Sequence, residues 1–340
     1  MLKIRMKSEL FVSVVVCVGI VLMTFVHSPE AQTPKPLKIT LAGYSVGGSS
    51  TVVAEAIGEA IKRTVPGSAF TFEPGQSGAN EVVVATGKTE LGFSHHYTTK
   101  AAMAGKEFFK RAYPNLRAIT YMHDTYSTWV FRKDTGLTSV EQIKERKFPV
   151  IAGVNTKNSL MEIQARFGLE AYGISYEDIE KWGGKIHYIT SVALFDLIRN
   201  NRANAYLMCM TPPFAGLNEL SINIDLVWLP MSDDAIQSVA KKMGGGKKVF
   251  VPQKWYPRFL TKDVPTLAVP NILITRAEVP EETIYWITKA IYGNLDYLHK
   301  ASVQLSQMTK ETMARELGGV PLHPGAEKFY REAGVPMEGK

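Results

Sequence analysis

Cysteine is nearly missing from this 340-residue chain: Cys17 and Cys209 are the two present. Cys17 lies in an N-terminal apolar run, so once that run is removed Cys209 stands alone and forms no intramolecular disulfide. An exported domain of this kind is held by its core instead. Long apolar runs are equally scarce. After Leu10–Val26 no later stretch is long and apolar enough to span a bilayer. No His/Cys/Asp cluster has metal-ligand spacing, no G-x-S-x-G elbow occurs, and no internal repeat is found. No cofactor, metal or catalytic residue is therefore expected. Lys241-Lys242 and Lys247-Lys248, flanking Gly244-Gly245-Gly246, form the one dense basic cluster. It lacks the interleaved aromatics of a single-strand binder and reads as a solvated loop, so no nucleic-acid partner is expected.

What is present begins with a leader. Lys3, Arg5 and Lys7 precede the uncharged run Leu10–Val26, and His27-Ser-Pro-Glu-Ala31 follows. This is the layout of a secretory signal peptide over residues 1–31, with cleavage after Ser28 or Ala31, and it places the mature protein in the periplasm as a monomer. Its loss lowers the formal charge from +7 by one, and a mildly cationic exported protein draws small anions by its long-range field.

Strand and helix signals then alternate. Leu37–Ala42 is a short apolar strand, Gly43 to Gly48 a Gly/Ser loop, and Thr51–Arg63 a helix with Val52, Ala56, Ile57 and Ile61 on one face. The loop superficially copies a phosphate loop, but Ser49 stands where the lysine belongs and Ser45 replaces the second glycine of the dinucleotide pattern. What remains is a helix start whose free N–H groups and positive dipole end suit a carboxylate. Gly75-Gln-Ser-Gly-Ala-Asn80 repeats the device, Leu91–Phe93 leads to Ser94-His95-His96, and Leu116–Met122 is a fourth strand. A second unit starts near Trp129, where Asn155-Thr-Lys-Asn-Ser159 feeds the amphipathic helix Leu160–Tyr172. Further on, Ala205–Met210 and Ala268–Thr275 are extended, and Glu281–Tyr297 and Glu311–Leu317 are helical. This order predicts an α/β class with two doubly wound lobes, 37–128 plus 272–340 and 129–271. Hinge crossings are expected near Tyr126–Trp129 and Asn271–Ile274, with a ligand cleft beyond the strand ends.

The run Val320-Pro-Leu-His-Pro-Gly-Ala-Glu-Lys-Phe-Tyr-Arg-Glu-Ala-Gly334 closely resembles the terminal motif of the TAXI family of solute-binding receptors of TRAP transporters. Ser77-Gly-Ala-Asn80, Thr89–Phe93, Val264–Pro270 and Ile284–Asn294 match as well. The resemblance implies a type II periplasmic-binding-protein fold, closure about a hinge, and delivery of a glutamate-, glutamine- or 2-oxoglutarate-like carboxylate to a TRAP membrane permease. A periplasmic sensor feeding a membrane kinase is the alternative reading. The expected ligand-binding residues are Tyr44, Ser49, Ser50, Thr51, Ser77, Asn80, His95, Asn155, Lys157, Asn158, Ser159 and Thr211. His95 and His96 are adjacent, so at most one of them faces the cleft. His323 is expected to be structural.

Overall fold

Alternation of short apolar strands with amphipathic helices yields two sheets in the computed structural model, which describes residues 34–44, 49–337 and 339. The leader, both cleavage positions and the loop 45–48 lie outside the described residues. The chain opens β1 (Lys38–Ala42), α1 (Ser49–Thr64), β2 (Ala69–Glu73), α2 (Ala79–Ala85), β3 (Leu91–His95), α3 (His96–Ala104) and β4 (Leu116–Tyr126). It passes into β5 (Val130–Arg132), α4 (Glu141–Glu145), β6 (Ile151–Gly153), α5 (Leu160–Ala171), α6 (Tyr176–Lys181) and β7 (Lys185–His187). There follow α7 (Ser191–Arg199), β8 (Ala205–Tyr206), α8 (Ala215–Leu220), β9 (Leu226–Trp228) and α9 (Asp233–Met243). It returns through β10 (Lys247–Val251) and β11 (Val264–Arg276) to α10 (Glu281–Gly293), α11 (Leu295–Ala301) and α12 (Pro324–Glu332).

The larger sheet runs β10-β11-β3-β1-β2, with β4 also on β11; the smaller runs β7-β6-β8-β5-β9. β2, β1 and β3 are parallel, as the alternation predicts. β11 is antiparallel to β3, β4 and β10, and β5 is antiparallel to β8 and β9. The expected two-lobed α/β class holds, and the antiparallel insertions come from the strands that carry the chain between lobes. Leu41, Ile57, Ile61, Phe93, Ile287 and Tyr330 help fill one core, and Trp129, Phe131, Ile163, Leu194 and Tyr206 another. β10 and β11 hydrogen-bond in the larger sheet, yet Val251, Val264, Leu267 and Val269 pack into the second core. This segment ties the lobes together.

Asn271–Ile274, where the second crossing is expected, is paired on both edges by β3 and β4, and Ser127 N bonds Leu267 O (2.8 Å) at the level of the first crossing. Three expectations are corrected. Glu311–Leu317 is a series of turns, because Thr312 Oγ1 donates to Gln307 O (2.9 Å) and accepts from Thr309 N (2.9 Å), so local side-chain bonds replace helical ones. Glu281–Tyr297 breaks at Asn294, whose amide reaches Thr64 Oγ1 (3.1 Å) and Ala290 O (2.8 Å). The basic cluster at 241–248 is also no plain loop. It is the end of α9, a glycine turn and the start of β10.

Candidate functional site

The first loop leaves β1 at Gly43, where a Cβ would meet Phe72 Cε2 at 2.1 Å. No larger residue fits there without displacing that ring. Asn80, buried at the start of α2, holds the loop: its Nδ2 donates to Gly43 O (2.9 Å) and Phe93 O (2.9 Å), and its Oδ1 accepts from Gln76 N (3.1 Å). Both amide hydrogens are used on backbone, so Asn80 positions the two glycine loops against β3. Glu81 accepts from Gly78 N (2.7 Å) and from Ser94 Oγ (2.5 Å), and burial raises its pKa. Ser77 Oγ lies 3.4 Å from Thr98 Oγ1. Ser50 and Thr51 sit half-buried in the first turn of α1, and Ser49 opens that helix. The Thr51 hydroxyl is buried and meets no hydrogen-bond partner among the described residues.

Beside this loop the register of three strands aligns three polar side chains. Asn271 on β11 pairs with His95 on β3 and with His123 on β4. Asn271 Nδ2 and Thr125 Oγ1 each lie 3.4 Å from His95 Nε2, and Tyr44 Oη lies 3.2 Å from His95 Nδ1. The Tyr44 ring stacks on the imidazole at 5.7 Å. Thr211, following β8 in the other lobe, reaches His123 Nδ1 at 3.1 Å. Met210 and Tyr126 exchange backbone bonds of 2.7 and 3.0 Å that fix this approach. Burial holds the His95 imidazole well below its ordinary pKa, with His123 and His96 adding to the effect, and burial brings His123 down to about 4. Burial, then the nearby Glu81 carboxyl, pushes the Tyr44 phenol up. At neutral pH the cluster is a set of uncharged donors and acceptors, and within it the buried Asn271 Oδ1 has no partner.

The facing loop stands apart from this cluster. Asn155 (φ 67°) and Asn158 (φ 64°) take left-handed backbone, a conformation asparagine tolerates. Asn155 Oδ1 accepts from Thr156 N (2.6 Å), Asn158 N donates to Glu162 Oε2 (3.1 Å), and Ser159 Oγ caps α5 by accepting from Glu162 N (3.3 Å). Lys157 and Asn158 are exposed. Among the described residues no hydrogen bond joins Asn155, Lys157, Asn158 or Ser159 to the His95 cluster. The structure thus gathers Tyr44, His95 and Thr211 around His123, Thr125 and Asn271, with Ser77 and Asn80 beneath the neighbouring loop. His96, the first residue of α3, packs against Gly245 and Gly318 instead.

Sequence reasoning missed His123 and Thr125 as site residues because it ended the fourth strand at Met122. The signal was there: an apolar strand that turns polar at His123-Asp124-Thr125 and is buried there has polar groups to satisfy. Among the described residues no group of three or more His, Cys, Asp or Glu side chains is placed to hold a metal ion, and no helix is long and apolar enough to cross a membrane. His323 caps α12, accepting from Gly325 N at 3.1 Å, and contacts Val279 O at 3.0 Å, a structural position.

Two solved structures share the architecture. PhnD1 from Prochlorococcus marinus (MIT 9301), in complex with methylphosphonate, is 12% identical, aligns over 89% of this chain and 100% of its own, and has a TM-score of 0.53. MatC from Rhodopseudomonas palustris, with bound malate, is 14% identical over 79% of this chain and 89% of its own, with a TM-score of 0.52. At such identities the likeness concerns the fold. The NMT1-like family model matches residues 41–334, and the chain belongs to the NMT1-like family.

Proposed function

We propose that this chain is an extracytoplasmic solute receptor that traps a small organic carboxylate between its lobes and hands it, chemically unchanged, to a TRAP-type membrane permease. The observation that carries this reading is the neutral cluster of Tyr44, His95, Thr125, Asn271, His123 and Thr211, contributed by both lobes beside the start of α1. Buried polar atoms are ordinarily satisfied, and the Thr51 hydroxyl and Asn271 Oδ1 are two that are not. A carboxylate seated at the α1 start would accept from Thr51, from Ser49 and Ser50, and from the backbone N–H groups of that first turn, helped by the dipole. A donor elsewhere on the ligand would satisfy Asn271. Tyr44, His95 and Thr211 complete the inner wall, while Ser77 and Asn80 hold its loop in place. Asn155, Lys157, Asn158 and Ser159 close over the ligand from the second lobe, 129–271, as it swings about Ser127–Trp129 and the adjoining part of β11.

The bound malate of MatC and methylphosphonate of PhnD1 are small anions held on the same architecture, which supports an anionic ligand here. The TAXI-like terminal run supports the TRAP assignment, and the leader supports export to the periplasm. The test is to purify the exported protein gently, unfold it, and identify the released small molecule by mass spectrometry. A single carboxylate at near-stoichiometric yield that rebinds in calorimetry is the expected result. The mature N-terminus should be Pro29 or Gln32. A neutral or cationic ligand would overturn the reading.

A further inference from the structure

Hydrogen bonds on the inner wall of the cleft run in one direction. Asn271 Nδ2 can only donate, and it lies 3.4 Å from His95 Nε2, so that nitrogen accepts and the imidazole proton sits on Nδ1. Nδ1–H in turn donates to Tyr44 Oη at 3.2 Å. Because its oxygen is the acceptor there, the Tyr44 hydroxyl keeps its own hydrogen to give, and among the described residues no acceptor takes it. Asn271, only 3% exposed, has the opposite need: its Oδ1 is buried and receives no donor among the described residues. The two needs are adjacent. Burial raises the Tyr44 pKa, and the Asn271 amide lies close enough to the phenol to work against that rise.

Among the described residues no charged side chain hydrogen-bonds to this wall. Burial, with His123 and His96 adding to it, keeps the His95 imidazole neutral at ordinary pH, and burial brings His123 down to about 4. Asp124, beside His123 on β4, pairs with Lys247 at 3.2 Å. Glu81 already accepts from Gly78 N (2.7 Å) and Ser94 Oγ (2.5 Å), and it is the carboxyl that acts on the Tyr44 phenol after burial. An ammonium set against this wall would be buried without a counter-charge. A second carboxylate would bring lone pairs to Asn271 Oδ1, which needs a donor, and negative charge towards Glu81. A single hydroxyl meets both needs, since its oxygen accepts and its hydrogen donates.

We infer that the molecule trapped here is a hydroxy monocarboxylate, and that Tyr44 and Asn271 select it by gripping one hydroxyl, the phenol donating to its oxygen and Asn271 Oδ1 accepting its hydrogen. This rests on the carboxylate cleft proposed above, whose α1 start and closing loop hold the single negative charge. His95 is a positioning residue: it accepts from Asn271 and, by donating to Tyr44, turns the phenol's hydrogen towards the ligand. Dicarboxylates and amino acids of the same length are disfavoured by the same wall.

The experiment is titration calorimetry of the full mature chain, stripped of co-isolated ligand, against a series of four-carbon acids at neutral pH. The probes are butyrate, each positional hydroxybutyrate, malate and each positional aminobutyrate. One hydroxybutyrate should bind about tenfold or more tighter than butyrate, which leaves both polar groups unpaired, and malate and the aminobutyrates should bind at least about tenfold more weakly than that isomer. Tyr44→Phe, which removes only the hydroxyl, should bring the ratio of hydroxybutyrate to butyrate affinity down about tenfold. In the unaltered protein the 15N imidazole resonances of His95 should report the Nδ1–H tautomer, a measurement that needs no variant to fold. Malate or an aminobutyrate as the tightest ligand, a ratio kept in Tyr44→Phe, or the Nε2–H tautomer would each overturn this inference and leave the carboxylate cleft standing. Binding of no acid in the series would overturn both.

Discussion

Thr51→Val separates a ligand-binding hydroxyl from a structural one, because the two roles predict opposite signs. The Thr51 hydroxyl is buried and unpartnered in the first turn of α1, and valine keeps the β-branched shape while removing the polar atom. A desolvated group without a partner costs about 1–3 kcal/mol, so ligand-free Thr51→Val should be more stable than the parent by roughly 1 kcal/mol, the lower figure because Thr51 is only half-buried. At about 2.1 cal/mol/K per residue over roughly 300 residues, that raises Tm by about 1.5 °C. Binding should move the other way. Losing a hydrogen bond to a carboxylate costs about 1.5–3 kcal/mol, or on the order of ten- to a hundredfold in Kd. Scanning calorimetry of the ligand-free protein and titration calorimetry with the purified co-isolated ligand measure the two terms separately. If Tm falls while Kd holds, the hydroxyl is a helix cap and the anion sits elsewhere.

Asn80→Ala should be costly without touching ligand: it strands Gly43 O, Phe93 O and Gln76 N inside the first lobe, and chemical unfolding should show a loss of about 3 kcal/mol, roughly 1 kcal/mol for each bond. An unchanged midpoint would show that the loops hold without it. Acid should destabilise the protein through its buried histidines. His123 and His96 fall from 6.5 to about 4 on folding, so between those values the unfolded chain binds protons that the native chain refuses. Stability is then complete above pH 6.5 and drops on the way to pH 4 by roughly 1.4 kcal/mol per pH unit per histidine. His123→Gln should flatten that limb, and an unaltered slope would place the acid sensitivity in other groups. Small-angle scattering at saturating ligand should show a smaller radius than the free protein, since among the described residues no hydrogen bond joins the loop at Asn155–Ser159 to the His95 cluster and a bridging ligand would draw the two together. Equal radii at confirmed saturation would rule out hinge closure.

Local pattern was enough for much of this molecule. The alternation from Leu37 onward set an α/β class, and the Gly/Ser loop before α1 marked a helix start. The adjacency of His95 and His96 implied that they part company, because successive side chains leave an extended strand on opposite sides. α9 carries the same kind of local signal, with Ser232 as cap, Asp233 and Asp234 in its first turn, and Ala235, Ile236, Val239 and Met243 buried, but the lysines that end it hid it. β10 was not legible, since Lys247-Lys248 reads as a solvated run unless β11 is known to pair with it.

Tertiary structure decided the rest. Asn80 reads from sequence as a ligand donor, but the fold brings the carbonyls of Gly43 and Phe93 to its amide, and a donor engaged twice has no hydrogen left to offer. His95, the His123–Thr125 stretch of β4 and Asn271 lie far apart along the chain and become neighbours only through the register of β3, β11 and β4. Gly244-Gly245-Gly246 and Gly318-Gly319 are two unrelated turns in the sequence, joined by the side chain of His96. Sequence by itself determined what repeats over a few residues, because strand and helix periods, caps and turns are short-range properties. Which polar groups meet depends on strand order and register, which are settled only when distant segments pack.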